Sequence, residues 1–235
     1  MNNAIVGTQS QTEVVTEYGL LMLGPPAVGK GTQARNLAKH HGFWVYPLGD
    51  IIRGNSPHRE KWDCEDLAIK ARAFSDAGQL ADDSIITAID AHCLPRMTKH
   101  RKVAFDGSCR TIGQARAFVS IFDKVFGYRC RLYVSHMSFG AMPREEVEKT
   151  LMLRDKGEDR GTRSDSQQEK FLKRLAGYYD STLEAARYLK ECSRVAYLKD
   201  ISALRTPQSI FGRLSAQLGL VQPAEFRQSK VAMSV

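Results

Sequence analysis

Residues 20–34 read LLMLGPPAVGKGTQA, an apolar run, then a glycine- and proline-rich turn, then the start of a helical pattern. The turn fits the spacing Gly-x-x-x-x-Gly-Lys, with Gly24, Gly29 and Lys30 in the fixed positions. Spacing alone is weak evidence, because glycine and lysine are common. Its setting between an apolar strand and a helix decides the fold, since that arrangement aims backbone N–H groups and a helix N-terminus at a phosphate. Side chains would obstruct such a cradle. Pro25, Ala27 and Val28 complete the loop, Lys30 is placed to reach the outer phosphates, and Thr32 to touch phosphate or metal. Gly31 stands where most phosphate loops carry Ser or Thr, which narrows the family.

Outward from this loop, short apolar runs at 19–23, 43–46, 102–105, 130–134 and 194–198 alternate with helical patterns at 32–40, 83–93, 112–122, 144–153, 168–189 and 207–218. This rhythm predicts a doubly wound parallel five-stranded sheet with helices on both faces and ligands at the carboxyl ends of the strands. Two segments interrupt it. Residues 53–78 add charged helical sequence, and 154–166, RDKGEDRGTRSDS, are too polar and glycine-rich for a core. Both are expected to be insertions over the strand ends, the second a mobile lid.

The 235 residues suit one α/β domain over 18–220, with 43% hydrophobic and 26% charged residues. Residues 1–17 contain no Lys or Arg and no long apolar block, so they read as a flexible arm rather than a targeting peptide, and a cytoplasmic location is expected. No apolar stretch approaches the length of a membrane span. The tail, 221–235, has little periodicity. Five scattered cysteines without a Cys-x-x-Cys pair argue for free thiols, against both a disulfide framework and structural zinc. The net charge of +8 comes without basic runs or interleaved aromatics, so anionic small molecules account for it better than nucleic acid.

Five motifs in one order resemble the adenylate kinase family. These are the loop ending Gly-Lys-Gly-Thr, LGDIIR (48–53), GQLADD (78–83), FDGSCRTIGQA (105–115) and RSDSQQEKFLKRLAGYY (163–179). The resemblance implies reversible phosphoryl transfer from Mg-ATP to AMP giving two ADP, by a monomer with an acceptor-binding insertion at about 48–80 and a short, zinc-free lid at 154–166. It places Arg53 and Arg110 on the acceptor phosphate, with Arg154, Arg163 and Arg174 closing on the transferring group. Lys30, Arg110, Arg163 and Arg174 would be catalytic. Leu48, Gly49, Leu80, Ala81 and Gly107 would line the acceptor site together with Gln114, whose amide complements the amino edge of adenine. Asp106, closing the strand KVAFD, suits Mg²⁺ held through water.

The chain departs from the family pattern at several points. Pro47 and Leu48 replace Ser-Thr, Ser108 and Cys109 replace Phe-Pro, and Ser166 replaces an aspartate. The turn before Arg110 thereby lacks the ring that would fix its backbone. Two alternatives stay open: a kinase of the same fold acting on UMP or CMP, which Leu48 favours and Gln114 disfavours, and a nucleotide-binding protein with weak or no catalysis.

Overall fold

The computed structural model describes residues 17–56, 62–128, 130–155 and 168–221. Five parallel strands form the sheet in the order β2-β3-β1-β4-β5: β1 (Tyr18–Leu23), β2 (Trp44–Pro47), β3 (Lys102–Asp106), β4 (Arg131–Ser138) and β5 (Val195–Tyr197). All five expected strands are present. A sixth, β6 (Ile201–Ser202), pairs parallel with the end of β4 and corrects the five-stranded expectation. Two residues are too few to give a periodic signal.

β1 is apolar throughout its core because both faces are covered, as parallel sheets require. Leu21 and Leu23 point into one apolar cluster, Leu20 and Met22 into the other, following the two-residue alternation of a strand. The first cluster is built on Phe105, Phe118 and Phe122 with α4 (Asp83–Cys93), α5 (Ile112–Phe126) and α8 (Leu183–Glu191). The second packs α1 (Lys30–His41) and α9 (Pro207–Gln217) on the opposite face. Helix starts follow side-chain chemistry: Asp82 caps α4 by accepting from the Ser84 N–H, and Thr111 caps α5 by accepting from the Gln114 N–H.

Two further helices fill the crossover after β2, namely α2 (Leu48–Arg53) and α3 (Glu65–Asp76). α6 (Arg144–Asp155) and α7 (Gln168–Gly177) follow β4. The helical run expected over 168–189 is interrupted by a π-helical turn, Tyr178–Thr182, between α7 and α8. Such turns hold one extra residue and recur at functional sites. Among the described residues no helix is long and apolar enough to cross a membrane. The N-terminal arm up to residue 16, the lid from 156 with Arg163 and Ser166, and the tail from 222 lie outside the described residues.

Candidate functional site

β1 lies between β3 and β4, and the chain winds to opposite sides from it, so a crevice opens at its carboxyl end. The loop of residues 24–29 rims that crevice. Gly24 has φ +144°, and a Cβ there would stand 2.6 Å from the Met137 carbonyl oxygen, so only glycine lets the loop pass so close to β4. Gly29 has φ +102° and precedes α1, whose first turn carries no side-chain cap and no acidic residue. Its initial N–H groups are therefore left to an anion. Lys30 Nζ donates to the carbonyl oxygens of Gly24 and Pro25, each at 2.8 Å, which folds the ammonium back over the loop.

The loop opens on a cleft of about 850 Å³, within the range of small-molecule sites. Gly24, Ala27, Val28, Gly29, Lys30, Gly31 and Thr32 line one side, and Gly49, Arg53, Leu80, Gly107, Arg110 and Arg174 the other. Asp106 stands between them at the end of β3. Its Oδ2 is 3.4 Å from where a Cβ on Gly31 would sit, so the glycine after the lysine leaves room between loop and carboxylate. An adjoining cavity of about 40 Å³ is lined by Leu48, Ala81 and Gln114 and shares Gly49, Arg53, Leu80, Gly107, Arg110 and Arg174 with the cleft.

Three arginines from three elements thus converge. Arg53, at the end of α2, is bound to Asp50 at 2.8 Å and lies over Gly49, where a Cβ would come within 3.1 Å of its Nη2. Arg110 donates from Nε to the Gly107 carbonyl at 3.1 Å. Burial pulls its pKa down, Arg53 pulls it further, and Asp106 opposes both. Arg174, on α7, donates to Ser75 Oγ of α3 at 3.2 Å, joining the far side of the cleft to the insertion. Cationic groups held this close repel one another, and an anion placed among them relieves that repulsion.

Gln114 is nearly enclosed, at 3% exposure, and its Oε1 accepts from the Arg110 backbone N–H at 3.0 Å. One amide therefore links the wall of the small cavity to the arginine backbone. Arg154 goes elsewhere: it donates to the Ala203 carbonyl at 2.7 Å, lies 5.6 Å from the Phe139 ring, and is absent from the cleft lining. Pro25 contributes its carbonyl to Lys30 but does not line the cleft.

Several residues join the site that were given no role in it from the sequence, although Tyr178 falls within the last of the five motifs. Tyr178, on the π-helical turn, lines the cleft and bonds His136 Nε2 through its hydroxyl at 2.8 Å. His136 lies opposite Leu23 in the β1–β4 register, beneath the loop. Burial lowers its pKa, with Asp200 opposing and Lys30 adding to the depression, which favours the neutral ring. Thr182 Oγ1 donates to the Arg110 carbonyl at 3.0 Å. Ser56 and Trp62 line the cleft from the insertion, the indole N–H donating to the serine hydroxyl at 2.7 Å. The signal available in sequence was slight: a histidine at the end of an apolar strand, and a tryptophan in an otherwise charged insert.

A family profile described as an AAA domain matches residues 23–171. The adenylate kinase of Thermus thermophilus is 30% identical over 201 residues, covering 86% of this chain and 97% of that protein. The adenylate kinase of Deinococcus radiodurans is 30% identical over 215 residues, covering 88% and 97%. That of Parabacteroides distasonis is 31% identical over 204 residues, covering 86% and 98%.

Proposed function

This chain belongs to the adenylate kinase family of P-loop kinases, and on that premise we propose that it transfers a phosphoryl group reversibly between Mg-ATP and AMP, giving two ADP. The observation that carries the reading is the convergence of Lys30, Arg53, Arg110 and Arg174 on one cleft beside an uncapped helix N-terminus. Phosphoryl transfer asks for positioning and positive charge around the transferred group rather than covalent chemistry by the protein. The donor triphosphate lies along the loop, where Lys30 exchanges its two carbonyl partners for phosphate oxygens. The acceptor monophosphate lies between Arg53 and Arg110. Arg174 borders both compartments and meets the group in transit, and Arg163, in the lid expected at 154–166, completes the clamp. In this scheme residues 48–80 form the acceptor-binding insertion.

The residues around Asp106 fit a divalent cation of the magnesium type. A hard carboxylate faces the space left by Gly31, where Arg35 Nη1 also comes within 3.8 Å, and among the described residues no cluster of three or more His, Cys, Asp or Glu side chains offers a fuller cage. Asp106 would hold Mg²⁺ through water, and the ion would supply charge neutralisation between the donor phosphates. The acceptor phosphate is already anionic, so no side chain need act as general base.

For the acceptor base, Gln114 beside the apolar wall of Leu80 and Ala81 favours adenine. Leu48 is buried and brings no hydroxyl to that wall, which favours a pyrimidine acceptor as the second reading. A coupled assay of diphosphate formation from ATP over AMP, CMP and UMP tests the choice. AMP should lead by at least about a hundredfold in kcat/KM, because a site built for a polar edge rejects bases lacking it. Equal use of CMP or UMP overturns the adenylate assignment, and no turnover with any monophosphate overturns the kinase reading. Nucleotide interconversion of this kind fits a monomer working in the cytoplasm.

A further inference from the structure

Two cysteines that the candidate site leaves unused face one another behind its insertion. Cys64 stands at the N-terminal end of α3 and Cys93 is the last residue of α4. Both are free thiols, and their sulfurs are 3.7 Å apart in the apolar cluster that also holds Tyr46 and Trp62. Closing that gap to the ~2.05 Å of a sulfur–sulfur bond takes a movement of under about 2 Å, within reach of small rotations of the two side chains.

The pair is asymmetric in both access and acidity. Cys93 is fully enclosed, whereas Cys64 keeps 8% of its surface. The hydrogen bond shared with Cys93 lowers the Cys64 pKa and Arg96 adds to the effect, while burial opposes it. The same hydrogen bond, together with burial, raises that of Cys93. The outer sulfur is therefore the better thiolate, with a protonated thiol behind it.

We propose that Cys64 and Cys93 form an oxidation site at which hydrogen peroxide makes an intramolecular disulfide, tying the start of α3 to the end of α4. The Cys64 thiolate attacks one peroxide oxygen, the O–O bond breaks, and the departing hydroxide takes up a proton as water. Cys64 is left as sulfenic acid. Cys93 then gives up its proton and attacks the Cys64 sulfur, expelling the sulfenic oxygen as a second water. Two thiols are oxidised and one peroxide is reduced. Because Ala71 and Ser75 of α3 line the small cavity, the bond fastens a wall of that cavity to the core. The readout below is sulfur chemistry and stands apart from which nucleotides the cleft accepts.

The test treats the reduced full-length chain with hydrogen peroxide, quenches it, unfolds and alkylates it, and maps the peptides. Trypsin places the two cysteines on separate peptides, cutting after Lys61 and Lys70 around Cys64 and after Arg72 and Arg96 around Cys93. Cys64 and Cys93 should lose alkylation together, appear as one linked peptide pair, and return with dithiothreitol. In Cys93→Ser, capture of Cys64 sulfenic acid by dimedone should exceed that of the unsubstituted chain by at least about tenfold, since the resolving thiol is gone. In Cys64→Ser, Cys93 should stay alkylatable at peroxide levels that consume the partly exposed Cys192. The proposal is overturned if both cysteines remain free in the unsubstituted chain after Cys192 has reacted, or if the bridge joins other cysteines. That arm needs no variant to fold.

Discussion

Replacing Gln114 with alanine separates two tasks that one side chain performs. The amide oxygen holds the Arg110 N–H at 3.0 Å, and the amide also lines the small cavity that the proposed scheme gives to the acceptor. Losing the first contact leaves an N–H in a buried turn without its partner, a cost of about 1–3 kcal/mol. The displacement that relieves it moves the Arg110 guanidinium, which on the proposed scheme grips a phosphate common to every acceptor. That part of the loss therefore falls equally on AMP, CMP and UMP. The base contact does not: a well-placed glutamine amide discriminates adenine by roughly 1–3 kcal/mol, or about 5- to 150-fold. In steady-state assays over the three acceptors, Gln114→Ala should lower kcat/KM for all of them, while the ratio of AMP to CMP falls by a further ten- to hundredfold, about the worth of the lost contact. The KM for ATP should change little. A ratio unchanged within about twofold, with a correctly folded variant, refutes the role of Gln114 in base selection and leaves it a support for Arg110 alone.

Lys30→Ala should leave the melting profile near that of the parent, since the ammonium lines the open cleft and is only partly buried where it meets the Gly24 and Pro25 carbonyls, yet turnover should fall by at least about a hundredfold. Gly24→Ala should destabilise by about 1–3 kcal/mol and weaken nucleotide binding, whereas Gly29→Ala, whose Cβ would meet nothing within 4 Å, should cost less; thermal melts of the two compare them directly. Asp90 is enclosed on α4 and burial raises its pKa from 3.8 to about 7, while the hydrogen bond from Tyr46 opposes the rise. The folded state keeps a proton that the unfolded chain has lost, so stability from this group is full below the unfolded value and is lost as pH climbs toward 7. Asp90→Asn should remove that slope and gain up to about 4 kcal/mol at neutral pH, read from urea melts at pH 5 and pH 8.

How much of this was legible in the sequence follows from how local each cause is. The phosphate loop shows because its glycines, its lysine and the strand before it are contiguous, and the five main strands show because their central residues are apolar, most completely in β1 and β3, which are buried on both faces. α2 carries no helical signal because LGDIIR has a glycine in its second position and two β-branched isoleucines, a poor helical composition that tertiary packing overrides: Leu48, Ile51 and Ile52 are all buried. The π-helical turn at Tyr178–Thr182 has no compositional mark, since one added residue in a helix changes neither pattern nor polarity. The contacts it makes are non-local as well. His136 and Tyr178 are 42 residues apart, and Arg110 and Thr182 are 72 apart, so no windowed pattern could pair them.

The same long-range contacts answer a difficulty posed by the turn before Arg110. Without the proline ring, Cys109 adopts φ +62°, a left-handed conformation that costs a non-glycine residue of order 1 kcal/mol or more and holds only where its surroundings over-determine it. The surroundings here do so from three sides. The Cys109 side chain is fully enclosed in the apolar cluster, the Arg110 N–H is taken by Gln114, and the Arg110 carbonyl is taken by Thr182. A covalent constraint is thus replaced by burial and two hydrogen bonds. Those bonds come from α5 and from the turn beside α7, the helix that carries Arg174, so the placement of Arg110 depends on the packing of α7 and α8 against the core. Fixing an arginine by elements that themselves border the cleft couples the placement of Arg110 to α7 and its Arg174, a coupling that a rigid proline turn would not supply.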